Sequence, residues 1–310
     1  MSVVVLTGGV GGAKLVLGLT HVVLPETIAA IVNTGDDFRH IGLPVSPDLD
    51  TLLYTLSGKS NQAQGWGREG ESWAFMEAVR SLGGPGWFAL GDGDLALHVL
   101  RGHALAQGET LSRITARFAA AWGVAVRILP MTDDRVATIV ETDQGALEFQ
   151  DYFVARRCEP AARGVRFTGA DAAHPAPGVI EAIADEGTRA ILIAPSNPFL
   201  SVDPILAVPG IADALRAAAA PVVAVSPIVG GAAVKGPTAK MMDELGIPVT
   251  PAAVAVHYGE LIDAMLVDER DRDAAPAIDH AFADTLMVTL EDRIRVARAA
   301  LDLAARLAGR

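Results

Sequence analysis

Cysteine is almost absent from this chain, since Cys158 is the only one. A single thiol excludes an intrachain disulfide and a metal site built from several thiolates, and it predicts a reduced, cytoplasmic compartment. The first residues lack the basic segment of a secretory signal. The longest uncharged stretch, residues 217–234, contains two prolines and two glycines. We therefore expect no membrane-spanning segment there.

Positive charge is also scarce. The chain has 25 Lys and Arg against 37 Asp and Glu, which gives a formal net charge of −12. This excess of acid argues against nucleic acid or an anionic membrane as a partner, although a local loop can still bind a small anion. Aromatic residues make up only 5% of the chain and hydrophobic residues 51%, which favours a core of small aliphatic side chains.

Short apolar runs alternate with helical patterns, which predicts a doubly wound, mostly parallel, Rossmann-like α/β sheet. The chain is expected to form a single domain over residues 1–310, with residues 131–175 as a small antiparallel subdomain. The turn at 142–145 predicts a hairpin there. The predicted strands of the main sheet are Val3–Leu6, Ile28–Val32, Val124–Leu129, Ala190–Ala194, Val222–Val225 and Ala264–Val267.

A glycine-rich loop follows the first predicted strand. Four of the five residues at 8–12 are glycine, and Lys14 follows shortly after. A strand, a bare loop and the start of a helix together favour a phosphate site built on Gly9, Gly11, Gly12 and Lys14. The spacing matches neither the dinucleotide fingerprint nor the Walker P-loop. The alternative is a turn that only lets the strand and helix pack closely.

Aspartates follow the second predicted strand and open the next predicted helix. Asp36 and Asp37 come directly after residues 28–32, and either one is suited to bind a ribose or to close an Asx turn. Asp48 and Asp50 lie in the first turn of a helix that starts at Pro47, where the helix dipole stabilises carboxylates. Asp50 is also a candidate ligand for Mg²⁺ or for a substrate hydroxyl.

Further candidates lie beyond later strands and helices. Asp92 precedes a helix that carries His98, and helix capping is the alternative role for this aspartate. Ser196 and Asn197 stand between two prolines, an arrangement suited to reading the edge of a nucleobase. Lys235 and Lys240 are candidates for anion binding or for a solvated surface.

Nine segments, taken together and in order, resemble the CofD family of 2-phospho-L-lactate transferases, which act in the biosynthesis of coenzyme F-420. The resemblance covers nearly the whole chain. The segments are 7–14, 32–34, 46–51, 128–134, 149–151, 195–198, 225–228, 268–271 and 283–287.

The resemblance implies an activity. Such an enzyme transfers a phosphorylated three-carbon acid from a guanosine diphosphate-type donor to the ribityl hydroxyl of Fo (7,8-didemethyl-8-hydroxy-5-deazariboflavin). GMP leaves, Mg²⁺ is required, and the enzyme is usually a homodimer. The acid is 2-phospho-L-lactate, phosphoenolpyruvate or 3-phosphoglycerate.

The resemblance also implies roles for the candidate residues. Gly9, Gly11, Gly12 and Lys14 would hold the donor diphosphate, and Ser196 and Asn197 the nucleotide. Asp50, Asp92 and His98 would contact Fo, with Asp50 as the catalytic residue. Asp50 and Asp36 would hold the metal.

Three positions depart from the pattern of the family, because Gly93, Leu97 and Ala89 stand where the resemblance implies arginine, threonine and a basic residue. These departures leave the identity of the acid open, and Arg101 is a candidate to compensate. Two other functions also stay open. One is a nucleotide-sugar-binding regulator of the related gluconeogenesis-factor group, and the other is an NAD-dependent dehydrogenase.

Overall fold

A computed structural model describes residues 2–61, 63–234 and 236–309 of the chain. The strands are β1 (Ser2–Thr7), β2 (Ile28–Val32), β3 (Phe38–His40), β4 (Leu43–Val45), β5 (Arg127–Pro130), β6 (Ala137–Thr142), β7 (Gly145–Glu148), β8 (Ala162–Thr168), β9 (Thr188–Ile193), β10 (Val222–Val225), β11 (Ile228–Val229), β12 (Ala232–Ala233), β13 (Ala264–Asp268) and β14 (Asp279–Ala283).

The α-helices cover the faces of the main sheet and build the connections between its strands. They are α1 (Gly9–Leu19), α2 (Pro47–Leu56), α3 (Ala74–Ser81), α4 (Asp94–Ala106), α5 (Leu111–Ala121), α6 (Val179–Ala184), α7 (Asp203–Leu206), α8 (Ile211–Ala217), α9 (Thr238–Glu244), α10 (Pro251–Tyr258) and α11 (Leu290–Ala308). Single π-helical turns cover Asp151–Ala155 and Pro198–Val202.

The main sheet confirms the predicted Rossmann-like architecture. Within the described residues it has seven parallel strands in the order β14-β13-β10-β9-β1-β2-β5. The chain builds outward from β1 to β2 and β5, then crosses back to β9 and builds in the other direction. The carboxyl ends of β1 and β9 therefore flank the point where the winding reverses, where open α/β sheets bind their ligands.

Both faces of this sheet are covered, which explains the continuous apolar runs of its strands. Val3 and Val5 of β1 pack with α1, α2 and α11 on one face. Val4 and Leu6 pack with α6, α8 and α10 on the other. Side chains alternate between the faces along a strand, so each face needs an apolar residue at every second position.

Two details of the main sheet differ from the prediction. The strand expected over Val124–Leu129 begins only at Arg127, because Gly123 has a φ of 68° and Val124 closes the end of α5 through a bond to the Ala119 carbonyl. The edge strand β14 went unpredicted, since its sequence carries Asp279 and His280.

Residues between β5 and α6 form a small antiparallel sheet. The predicted hairpin pairs Thr142 with Gly145, and β8 adds a third strand on the other side of β6. Two further hairpins, β3–β4 and β11–β12, stand at the same end of the main sheet as the carboxyl ends of its strands.

Within the described residues, no single helix is long and apolar enough to cross a membrane. By length and composition alone, one sharply bent pair passes the same test, Pro198–Leu206 with Ile211–Ala217.

Candidate functional site

A cavity of about 490 Å³ opens at the carboxyl ends of the parallel strands. Its lining includes Gly8 and the first turns of α1, the starts of α2 and α4, and the segments after β7, β9 and β10; the glycine-rich stretch predicted as a loop is thus mostly the first turn of a helix. This volume lies within the range of about 300–1,000 Å³ that is typical of small-molecule sites.

The centre of the cavity floor is the junction of β1 and β9. The Gly8 N–H donates to the Ser196 hydroxyl oxygen (3.2 Å), and the same hydroxyl donates to the Gly8 carbonyl (2.8 Å). Gly9 begins α1 with a φ of 64°, a conformation that favours glycine, and its N–H donates to Asp48 Oδ1 (2.8 Å). The amides that lead into α1 are thus partly occupied by protein side chains.

Close packing gives a second reason for the glycines. A Cβ at position 12 would lie 1.9 Å from Thr7 Oγ1, and a Cβ at position 11 would lie 2.6 Å from the Pro195 carbonyl oxygen. Gly12 is buried and outside the cavity lining, whereas Gly9 and Gly11 line it. The packing interpretation therefore applies at position 12, and the phosphate interpretation stays a prediction for the loop.

Lys14 projects from α1 to the cavity lining, where its ammonium donates to the Met287 carbonyl (2.6 Å). This hydrogen bond joins the segment after β14 to the first turns of α1. A charged donor held at the cavity wall beside bare amides is a suitable environment for an anion.

An acidic corner formed by Asp36, Asp37 and Asp48 lies beside the glycine loop. Asp48 Oδ2 accepts from the Asn33 side chain (3.0 Å) and Oδ1 accepts from Gly9. Burial raises the pKa of Asp48 to about 6, and the charge of Asp50 adds to this effect. Both of these hydrogen-bond donors to the Asp48 carboxylate are neutral.

The other two members of the acidic corner, Asp36 and Asp37, also have raised pKa values. Burial raises the pKa of Asp36 well above its ordinary value, and the charge of Asp48 raises it further. Burial also raises the pKa of Asp37, whose Oδ2 accepts from the Ser46 hydroxyl (2.6 Å). In the part of the chain that the structure describes, Oδ1 of Asp36 and Oδ1 of Asp37 are buried without a hydrogen-bond partner.

Asp50 has a different neighbourhood, although it lies two residues from Asp48. Both of its oxygens accept from the guanidinium of Arg101, with Oδ2 at 3.2 Å from Nη1. Asp50 and Arg101 are 4% and 2% exposed, so the pair is almost completely buried, with Asp50 at the cavity wall. Burial alone would lower the pKa of Arg101, but the Asp50 carboxylate raises it.

A chain of polar groups continues from this ion pair along α4. Arg101 Nη1 lies 3.3 Å from His98 Nδ1; because arginine only donates, Nδ1 accepts and Nε2 carries the hydrogen. That Nε2 lies 3.0 Å from Asp94 Oδ2, and the Tyr54 hydroxyl donates to Asp94 Oδ1. Burial alone would raise the pKa of Asp94, but His98 and Tyr54 lower it.

The segment after β9 supplies one further unsatisfied group. Asn197 Oδ1 accepts from the amides of Phe199 (3.0 Å) and Leu200 (3.2 Å), which fixes the side chain at the start of a π-helical turn. Its Nδ2 is buried and, among the described residues, makes no hydrogen bond. A fixed amide donor at the cavity is thus available to a ligand.

With this geometry established, we compared the chain with known proteins. Residues 3–301 match the CofD family, described as 2-phospho-L-lactate transferase CofD. The chain belongs to the CofD family.

Relatives of the CofD family support this membership over the full length. The chain is 46% identical to a phosphoenolpyruvate transferase from Kitasatospora aureofaciens, with 98% of each chain covered. It is 39% identical to a 2-phospho-L-lactate transferase from Methanosarcina mazei, covering 93% of this chain and 95% of that protein. The predicted transferase class and its role in coenzyme F-420 biosynthesis are thereby confirmed.

Solved structures support the fold. A UPF0052 family member from Bacillus halodurans, refined at 2.60 Å, is 20% identical with a TM-score of 0.61, and the match covers 97% of this chain and 98% of that one. At this identity the likeness concerns the CofD fold and carries no argument about activity.

Most of the sequence-predicted residues meet in the cavity of this CofD protein. Its lining includes Gly9, Gly11, Lys14, Asp36, Asp50, His98, Ser196 and Asn197. Asp92 lies outside the lining, because its carboxylate accepts from the Ser72 hydroxyl and from the amides of Ala74 and Phe75 at the start of α3. Asp92 thus caps α3 and not α4, the helix with His98 for which the sequence left a capping role open, and contact with Fo stays a prediction.

The departure at position 93 has a structural counterpart. A Cβ on Gly93 would lie 2.0 Å from Nη1 of Arg68. The guanidinium of Arg68 therefore occupies space next to the backbone where any larger residue at 93 would begin. Lys240 is held by Glu244 and the Pro160 carbonyl, and Lys235 lies outside the described residues.

Sequence reasoning missed Tyr54, Asp94 and the partner of Asp50 as parts of one network. The available signal was helical spacing, since Asp50 and Tyr54 are four residues apart on α2. On α4, Asp94, His98 and Arg101 follow at intervals of four and three, which places them on one helix face. No three His, Cys, Asp or Glu side chains form a metal-binding group within residues 2–61, 63–234 and 236–309.

Proposed function

We propose that the protein transfers a phosphoenolpyruvyl group from a guanylylated donor to the ribityl hydroxyl of Fo and releases GMP. The relatives that share 44–46% identity are named phosphoenolpyruvate transferases, and the archaeal 2-phospho-L-lactate transferase shares 39%. These names favour phosphoenolpyruvate over 2-phospho-L-lactate and 3-phosphoglycerate. In the reaction, the acceptor oxygen bonds to the phosphorus of the acid and the bridging bond to GMP breaks.

The single observation that carries the proposal is the position of the cavity at the reversal of winding between β1 and β9. A donor diphosphate over the β1–α1 loop would meet the N-terminus of α1, whose dipole favours anions. Lys14 supplies a cation at the same wall. Phosphoryl transfer depends mainly on positioning and on charge neutralisation, which these groups provide.

The nucleotide is assigned to the half of the cavity after β9. The unpartnered Nδ2 of Asn197 is a donor for an acceptor atom of guanine or ribose. Ser196 supports this half from below, since its hydroxyl is engaged by the Gly8 backbone. A buried donor without a partner destabilises the unliganded protein, and a ligand that accepts a hydrogen bond from it removes this cost.

Magnesium fits the acidic corner. The orphaned Oδ1 of Asp36 and the buried carboxylate of Asp48 suit a hard cation that prefers oxygen ligands. Asp36 and Asp48 would hold the ion, which would neutralise charge on the diphosphate when bound. Asp50 is the weaker metal candidate of the sequence prediction, because both of its oxygens already accept from Arg101.

The acceptor is assigned to the half of the cavity formed by α2 and α4. Asp50 is held rigid by Arg101, and Asp94 is held by Tyr54 and His98. Carboxylates fixed in this way orient a hydroxyl group without moving when it reacts. Asp50 therefore remains the proposed catalytic residue, with Asp94 beside it.

An assay of product by mass spectrometry tests the proposal. Purified protein receives Fo, Mg²⁺ and one guanylylated donor of each of the three acids, generated enzymatically. We expect the phosphoenolpyruvyl adduct of Fo and GMP as the main products. Preferential use of another acid would contradict the choice of donor, and absence of any adduct would contradict the activity.

A matched variant tests the nucleotide half. Asn197→Asp keeps the oxygen that caps the π-helical turn and replaces the free donor with an acceptor. We expect the KM for the donor to rise more than about tenfold, the loss of a hydrogen bond in a site built for it, while the KM for Fo stays unchanged. Equal effects on both substrates would refute this assignment.

Two finer expectations complete the proposal. We expect a homodimer in the cytoplasm, as the resemblance implies and as the single Cys158 allows. Sedimentation velocity at micromolar protein would reveal a monomer if the first expectation is wrong.

A further inference from the structure

Trp66 is a large aromatic side chain for which the fold gives no packing role. It is 52% exposed and lines the cavity. In the part of the chain that the structure describes, its ring contacts no other aromatic ring, whereas Trp87 packs on Phe38 (5.9 Å between ring centroids) and Trp122 on Tyr54 (5.6 Å). An exposed indole at a cavity wall is a surface on which a planar ligand can stack.

The backbone around Trp66 forms a tight turn. Gly65 and Gly67 flank it with φ of 71° and 72°, which side-chain-bearing residues rarely adopt. The Asn61 N–H donates to the Gly67 carbonyl (2.9 Å) and closes the base of this tip. Trp66 thus stands at the end of a tight backbone tip at the cavity wall.

A polar latch then holds the segment that carries Trp66 against the turn before α4. Glu71 accepts from Arg68 through Oε1 (3.0 Å) and from the Gly93 N–H through Oε2 (2.6 Å). The carboxylate of Glu71 also packs against the backbone of Gly91, where a Cβ would lie 2.3 Å from Glu71 Cδ. Asp92, in the same turn as Gly91 and Gly93, caps α3, the helix that follows the segment with Trp66 and Glu71. The latch fixes the tip relative to α4, which carries His98.

Trp66 belongs to the acceptor half of the cavity. It lies in the connection from α2 to α4, as does Phe88, which also lines the cavity. Asn197 and the rest of the nucleotide half come from the segments after β9, on the other side of β1 in the sheet. Since Glu71 ties this segment to Gly93 at the start of α4, a planar group stacked on Trp66 would stand near the first turn of α4, where Asp94 lies.

We propose that Trp66 is the stacking platform for the tricyclic deazaflavin ring of the acceptor, held in place by the Arg68–Glu71–Gly93 latch. The identity of the acceptor rests on the proposed function. A ring stacked on Trp66 directs the ribityl chain toward the carboxylates of α2 and α4 and leaves the nucleotide half free. Trp66 is therefore a positioning residue that sets the affinity for the acceptor.

The test uses the full-length protein and three variants. Trp66→Ala should raise the KM for Fo about tenfold, as expected for loss of one ring-on-ring contact, with the kcat and the KM of the donor nearly unchanged. Trp66→Phe should restore most of the affinity, because a smaller ring still stacks. Trp87→Phe is the control, since Trp87 is 40% exposed and outside the cavity lining.

Fluorescence of Fo gives a second readout that a merely structural role would not move. Contact with an indole should quench the emission of bound Fo in the wild type and in Trp87→Phe, and the quench should be lost in Trp66→Phe. Unchanged quenching and unchanged KM in Trp66→Ala would overturn the proposal. So would a Trp66 variant that weakens binding of GDP alone while binding of Fo is intact.

Two further outcomes separate the platform from the proposed function. Binding of Fo with the expected quench but without transfer would refute the function and support the platform. Failure of the wild type to bind Fo would overturn both.

Discussion

The acidic corner and the Asp50–Arg101 pair are neighbours at the start of α2, but their buried carboxylates have different partners. Asp50 has a guanidinium on both oxygens. Asp36, Asp37 and Asp48 have neutral donors or none, and burial raises the pKa of each. A buried carboxylate with a cationic partner is held in place. A buried carboxylate without one would be stabilised by binding a cation.

Breaking the compensated pair should have the largest effect. Arg101→Met leaves Asp50 buried without its counter-charge, so the free energy of unfolding should fall by about 3–5 kcal/mol. Urea denaturation followed by circular dichroism measures this loss. The double variant Arg101→Met with Asp50→Leu should recover most of it, because no charge then remains at the site.

A surface pair provides the control for this experiment. Arg117→Met removes the partner of Glu109 from an ion pair whose members are 51% and 31% exposed. The change should be below about 1 kcal/mol. A loss of similar size at Arg101 and Arg117 would show that burial does not set the strength of the inner pair.

Removing a carboxylate from the acidic corner should raise the stability of the protein, the opposite of the effect at Arg101. Asp36→Asn removes a buried carboxyl whose pKa is raised in the folded state. Below its unfolded pKa of about 3.9 the group is neutral in both states, and stability is lost as the pH rises toward the folded pKa. At pH 7 the variant should therefore be more stable than the wild type, because the buried carboxyl must otherwise ionise in the folded state.

The pH dependence of the difference is the decisive measurement. The gain from Asp36→Asn should shrink toward zero as the pH falls to about 4. Mg²⁺ with GDP should raise the Tm of the wild type and have less effect on the variant. Asp213→Asn, on an exposed side chain of α8, is the control. If Asp36→Asn were less stable than the wild type at pH 7, the Asp36 carboxylate would be stabilising, and our interpretation of the acidic corner would be wrong.

The smallest expected effect concerns Ser196, whose hydroxyl joins the ends of β1 and β9. Ser196→Ala removes one hydrogen bond given to Gly8 and one received from it, which should cost about 1 kcal/mol of stability. If the hydroxyl only supports the wall, calorimetry should show nearly the same affinity for GDP. A large loss of affinity would instead make Ser196 a nucleotide ligand, as the sequence predicted.

The glycines at 8–12 show that one sequence motif can have more than one physical cause. Four glycines near a strand end suggested bare amides for phosphate. In the structure, Gly12 is required by the side chain of Thr7 and Gly9 by its positive φ. Both demands arise from the tight passage of β1 into α1, where the Gly8 and Gly9 amides donate to Ser196 and Asp48. The sequence could not separate packing from ligand binding at these positions.

By itself, the sequence determined the layered α/β architecture, the hairpin after β5 and the strand ends at which chemistry is expected. Each of these follows from local rules, because apolar runs, turns and helix starts are encoded by near neighbours in the chain. Only the tertiary structure decided which carboxylate is neutralised. Arg101 reaches Asp50 across 51 residues, and the spacing within one helix turn says nothing about which of two aspartates a distant guanidinium will meet.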